Sequence, residues 1–192
     1  MIMKKSTIIK IAITIYTIVL FSIEHNAQSF KQLDENPHDI AYYRESRATL
    51  PVVKVIYGRP TLRKEKAFGD QIPFNKVWRT GANEATEVKF FQDVVFGGQE
   101  VKAGTYVLIT IPGEKEWEII LNKNLDVWGA FQYDPAANIV KIKVPVSKAE
   151  RLEVFSIAFK RIIHNEIQMV LGWDSTRVKI PLKTKDIVVA KL

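Results

Sequence analysis

The sequence predicts an all-β fold: an antiparallel β-sandwich of about eight to ten strands, with a closed β-barrel as the runner-up. Three observations carry this. From Pro51 onward, short β-branched or alternating runs dominate the chain. Several of these runs are joined by turns of hairpin length, which fits antiparallel neighbours. A long segment with no helix or strand period, Gly58 to Thr86, interrupts the series and reads as an ordered loop at one end of the sandwich.

The elements follow in order. Val52 to Tyr57 is β-branched and reads as a strand. Glu87 to Phe91 alternates and runs on into Val94 to Phe96, which ends at Gly97-Gly98, a two-residue hairpin signal. Gln99 to Val101 returns, and Ala103-Gly104 turns the chain into Thr105 to Ile111. Pro112 to Lys115 is a further turn, after which Trp117 to Leu121 pairs back. Asn138 to Val144 sets Ile139, Lys141 and Lys143 on one face and Val140, Ile142 and Val144 on the other. Leu152 to Ile162 and Ile167 to Trp173 form a hairpin through His164-Asn165, and Val178 to Leu182 closes the series. The tail from Thr184 fits a short helix or a last strand.

Residues 1–29 are read as a signal peptide, with a basic start at Lys4, Lys5 and Lys10, an apolar run from Ile11 to Ile23, and cleavage after Ala27 or Ser29. The alternative is an uncleaved anchor, but the apolar run falls short of the roughly 20 residues that span a bilayer. No membrane span is therefore expected after cleavage, and the mature protein is expected in the periplasm or outer envelope. Residues 30–50 are polar and mixed. They read as a lead-in arm, with a short helix over Ile40 to Arg47 as an alternative. Residues 51–192 then form a single domain. The sequence has no cysteine, which excludes disulfides, thiolate metal sites and a cysteine nucleophile.

The net charge is +7, of which residues 1–29 carry +2 through three lysines and one glutamate, leaving +5. These charges are dispersed and no nucleic-acid motif accompanies them, so nucleic acid is not an expected partner. Only His38 and His164 lie beyond the signal, which leaves a Ser-His-Asp triad poorly supplied. No histidine pair has metal-ligand spacing, no phosphate or dinucleotide fingerprint occurs, and no metal or cofactor is expected.

The candidate site residues concentrate in the long loop. Asn36-Pro37 breaks the arm before it, and within the loop Trp78, Arg79, Asn83 and Glu84 stand just ahead of the strand at Glu87. Arginine offers a fixed fork of donors for carboxylate, phosphate or sulfate, asparagine both donates and accepts, and a buried glutamate can serve as general base. Glu84 is the candidate catalytic residue, with Asp126 or Asp134 as a partner acid. The architectural alternative joins Arg79 to Glu84 in an internal bridge, with Asn83 bonded to its own turn. Arg59 and Lys64, from the loop's first part, would add a cationic mouth, although Lys64 also fits a solvated turn. Between two later strands, Trp128, Phe131 and Tyr133 offer either an aromatic platform for a sugar ring or a cap on the core.

The pieces Gly58-Arg59-Pro60, Ala67-Phe68-Gly69, Val77 to Thr86, Ala103 to Tyr106 and Trp128 to Phe131 resemble a family of exported envelope proteins of Gram-negative bacteria, the domain-of-unknown-function family 2911. The resemblance spans Pro51 to Trp173. It implies that the Arg79 loop and the Trp128 bend lie at one end of the sheet. Three functions follow as expectations. The first is binding of a small polar or anionic ligand, with a saccharide included, in a pocket at the sandwich end. The second is a glycan- or metabolite-directed hydrolase or lyase using Glu84. The third is a structural or assembly role without a small-molecule site.

Overall fold

The structure, a computed structural model, describes Lys5, Thr7, Ile9, Lys10 and residues 30–184. The apolar run Ile11 to Ile23, both cleavage points and the tail beyond Thr184 lie outside the described residues. The chain divides into two units, Met1–Leu33 and Asp34–Leu192. In the first, Lys5, Thr7, Ile9 and Lys10 are helical and exposed.

The second unit is all-β. Its strands are β1 (His38–Tyr43), β2 (Val53–Gly58), β3 (Glu87–Phe90), β4 (Val94–Phe96), β5 (Gln99–Val101), β6 (Gly104–Ile111), β7 (Glu116–Asn122), β8 (Asn138–Ile163) and β9 (Glu166–Thr184). All pair antiparallel in the order β1-β2-β3-β6-β7-β8-β9-β4-β5. The sheet stays open, with β1 and β5 as its edges, so the sandwich and not the barrel is formed.

One continuous sheet makes two layers because its longest strands bend. At about 3.3 Å per residue, a straight β8 would run roughly 80 Å, far beyond a small domain. Pro145 marks its change of neighbour: it stands opposite Glu116 at the end of β7, and Val146 then pairs with Val178 of β9. Pro181 sits at the matching change in β9, between Val178, paired with β8, and Leu182, paired with Phe96 of β4. A residue that cannot donate to a ladder is tolerated at such hand-overs. β9 curls far enough that Thr184 donates its N–H to Asn165 O at 2.9 Å.

The hairpins follow the sequence. Gly97 and Gly98 both take positive φ, 58° and 89°, as a tight β4–β5 turn requires. His164-Asn165 closes β8 on β9, with Asn165 at φ 62°. Two expectations change. The pairs of strands drawn separately at Asn138/Leu152 and at Ile167/Val178 are each one strand, because irregular pairing interrupts the alternation without ending the ladder. The segment read as a lead-in arm contributes β1, and no helix forms over Ile40 to Arg47. Tyr43, Ala41 and Asp39 turn inward opposite Val53, Val55 and Tyr57.

The main core lies between the layers around four buried rings. Trp78 stacks on Trp173 at 6.2 Å between ring centroids, and Phe68 meets Trp117 edge-on at 4.6 Å. A smaller cluster of Ala85, Val107, Ile109, Ile120 and Val127 covers the outer face of β6 and β7. Among the described residues, no helix is long and apolar enough to cross a membrane.

Candidate functional site

The long loop divides in two. Its second half, Trp78 to Thr86, is a strap held by its own hydrogen bonds. Trp78 exchanges backbone bonds with Thr110 at 2.7 and 2.9 Å, and its indole Nε1 donates to Gly81 O at 3.1 Å. Thr80, fully buried at φ 60°, shares a hydroxyl bond with Thr110 at 3.1 Å, and Thr86 Oγ1 donates to Thr80 O at 2.8 Å. Gly81 and Ala82 lie directly on β2. A Cβ at Gly58 would stand 2.0 Å from Ala82 O, so only glycine permits this approach.

The polar members of the strap do not converge. Asn83, at φ 60°, donates from Nδ2 to Asn36 O at 3.1 Å. Glu84 lies 3.0 Å from His38 Nε2, and its side chain is 52% exposed. The expected Arg79–Glu84 bridge is absent. Glu84 borders a groove of about 320 Å³ with His38, Asp126 and Val127, and it stays open to solvent there.

Arg59 is an architectural residue. Its guanidinium bonds Asp39 of β1 at 3.0 Å, and Ser156 Oγ and Phe155 O of β8 at 2.8 and 3.2 Å. From just past the end of β2 it ties β1 to β8, with its side chain 32% exposed. Trp78 likewise belongs to the core, 4% exposed among other rings.

The Trp128 bend does lie beside the strap. Ala85 N–H donates to Val127 O at 3.1 Å, and the Arg79 side chain lies against Gly129. The three aromatics nevertheless part company. Trp128 and Phe131 are 56% and 79% exposed, whereas Tyr133 packs on the smaller cluster and its hydroxyl accepts from Asn138 Nδ2 at 2.8 Å.

The loop's first half borders a different concavity. Lys64, Lys66, Phe68 and Phe74 wall a cleft of about 530 Å³ whose other sides are the β6–β7 turn, Trp117, and the bends of β8 and β9. Of the site residues expected from sequence, only Lys64 is here. The bend in β8 is a bulge: Lys148 pairs with Thr176 and Leu152 with Asp174, so β8 spends four steps where β9 spends two. Bulges re-aim side chains, and this one turns Lys148 and Arg151 to the cleft. Arg151 makes only long contacts, 3.7 Å each, to Glu153 and Asp174. Lys64, Lys66 and Lys148 have no ion pair among the described residues. With Glu65, Glu114 and Asp174 also present, the rim carries four cations and three acids.

Trp117 forms the floor. It is 1% exposed, and its indole Nε1 is covered with no hydrogen-bond acceptor. A buried donor left unpaired costs about 1–3 kcal/mol. Sequence patterning missed Trp117, Lys66, Lys148, Arg151 and Thr176. The available signal was the loss of alternation over Ser147 to Arg151, where a bulge replaces regular strand. Among the described residues, no group of three or more His, Cys, Asp or Glu side chains is placed to hold a metal ion.

Residues 40–182 match the family described as "Protein of unknown function (DUF2911)", and the chain belongs to that family. Neither a curated protein nor a solved structure matches the chain.

Proposed function

We propose that this chain is an exported envelope protein that binds a small polar or anionic ligand in the Lys64–Lys148 cleft at one end of the sandwich. Export is supported by the basic start and the apolar run Ile11 to Ile23. Binding is supported by one observation: Lys64, Lys66 and Lys148, with no ion pair among the described residues, border a cleft lined below by Phe68 and Trp117. Concave sites with an apolar floor and a few convergent polar groups are the usual form of small-molecule sites. Because Trp117 and Phe68 are almost wholly covered, recognition rests on charge and hydrogen bonding and not on stacking against an open ring.

The test is thermal unfolding in the presence of uronates, phosphorylated sugars and amino acids, for wild type and for the Lys64→Ala/Lys148→Ala double variant. A ligand at a hundred times its dissociation constant adds about 2.7 kcal/mol of stability. The expected result is a saturable rise in Tm for at least one class, lost in the double variant. Stabilisation that persists unchanged in the double variant would place the ligand elsewhere, and no rise with any class would remove the proposal.

A further inference from the structure

Arg79 is the one strap residue whose charge has no protein partner among the described residues. Its neighbours Asn83 and Glu84 are committed to Asn36 and His38, and no acid lies within ion-pair distance of its guanidinium. Its Nε is covered and without an acceptor. Burial pulls the Arg79 pKa below its ordinary value, with no nearby carboxylate to offset the loss of water. Arg79 is half-buried, and a guanidinium partly withdrawn from solvent without a counter-charge carries a desolvation cost that a bound anion offsets.

The surroundings fit a bound anion. Arg79 is held from below by the backbone of the strap, where its carbonyl accepts from Thr86 N–H at 3.1 Å. Its Cδ lies beside Gly129, 3.9 Å from where a Cβ would stand there. Nε is the only nitrogen of the group that is both covered and unpartnered, which leaves the terminal amino groups as the approachable end of the fork. A planar fork of this kind matches the two oxygens of a carboxylate or two of the oxygens of a phosphate.

We propose that Arg79, seated against the Gly129 bend, is a second ligand site, which receives the carboxylate or phosphate group of a small molecule. This site is separate from the cleft, whose walls include neither Arg79 nor Gly129. The exposed ring of Phe131 lies against Gly129 beside the Arg79 stem and is the ring available to the rest of such a molecule.

The direct test observes the Arg79 Nε–H resonance of the wild-type protein, identified by its absence in Arg79→Lys. Phosphate, acetate and glucuronate are titrated at constant ionic strength. The proposal expects a saturable shift of this resonance with at least one anion, larger than that of exposed Arg63. A preference for phosphate over acetate identifies the phosphate form, and a gain for glucuronate over acetate identifies a carboxylate carried on a ring. The shift should survive in Lys64→Ala/Lys148→Ala, which separates this site from the cleft. A resonance that moves no more than that of Arg63, or whose shift disappears with the cleft lysines, overturns the proposal.

Discussion

The two halves of the Gly58–Thr86 loop look alike in sequence and behave differently in the fold. Both mix basic residues, aromatics and turn formers. The half from Lys64 to Phe74 leaves its lysines exposed and walls a cleft. The half from Trp78 to Thr86 buries its tryptophan and threonines, and Gly81 lies against Gly58. The difference lies in what each half packs against. The strap meets flat sheet and fills it, whereas the first half meets the bends of β8 and β9 and leaves a gap. Charge density along a chain therefore does not by itself locate a ligand.

The strongest way to break this comparison is to remove the anchor of the strap. Trp78→Ala deletes a ring that touches Phe68, Trp117, Phe155 and Trp173. The expected loss is about 3–5 kcal/mol in urea unfolding, the usual range for a buried large aromatic. A loss below about 1 kcal/mol, the scale of an exposed position, would show that the strap is peripheral.

Gly58→Ala probes the seat of the same strap from the other side. Its Cβ meets backbone, Ala82 O, which cannot rotate away as a side chain would. Over-packing of this kind costs about 1–3 kcal/mol. Unchanged stability would mean that the strap lifts from β2 without penalty.

Arg59→Ala carries the next smaller effect. Its ion pair with Asp39 is partly exposed, with side chains 32% and 44% accessible, so screening discounts that contact. Its bonds to Phe155 O and Ser156 remain, and a net loss of about 1 kcal/mol is expected. A double-mutant cycle with Asp39→Ala would return a small coupling, because most of the effect lies in the bonds to β8.

Much of this was legible from residue patterns, and the exceptions have causes. Gly97-Gly98 and His164-Asn165 specify their hairpins through local turn chemistry, so both were readable. β1 was not, because an edge strand needs only one inward face, and His38, Ile40 and Tyr42 point outward, exposed, between inward-facing residues. The strap's partners were hidden for another reason. Glu84 finds His38 forty-six positions away in sequence, a distance that only the β1–β2 pairing closes. The cleft was hidden because it depends on a bulge, a local miscount between β8 and β9 whose trace in the sequence is only a loss of alternation over Ser147 to Arg151.

The smallest stability effect gives the sharpest functional contrast. Lys64 and Lys148 are exposed and make no ion pair among the described residues, so Lys64→Ala/Lys148→Ala removes no folded-state contact that supports the sheet. Surface changes of this kind shift stability by about 0.5 kcal/mol or less. If anything, relief of repulsion among Lys64, Lys66, Lys148 and Arg151 favours the folded state slightly. The variant should therefore unfold in urea at the wild-type midpoint while losing the ligand-dependent rise in Tm. A marked fall in its midpoint without ligand would mean that these lysines serve the fold, and that the loop's open half is as architectural as its closed one.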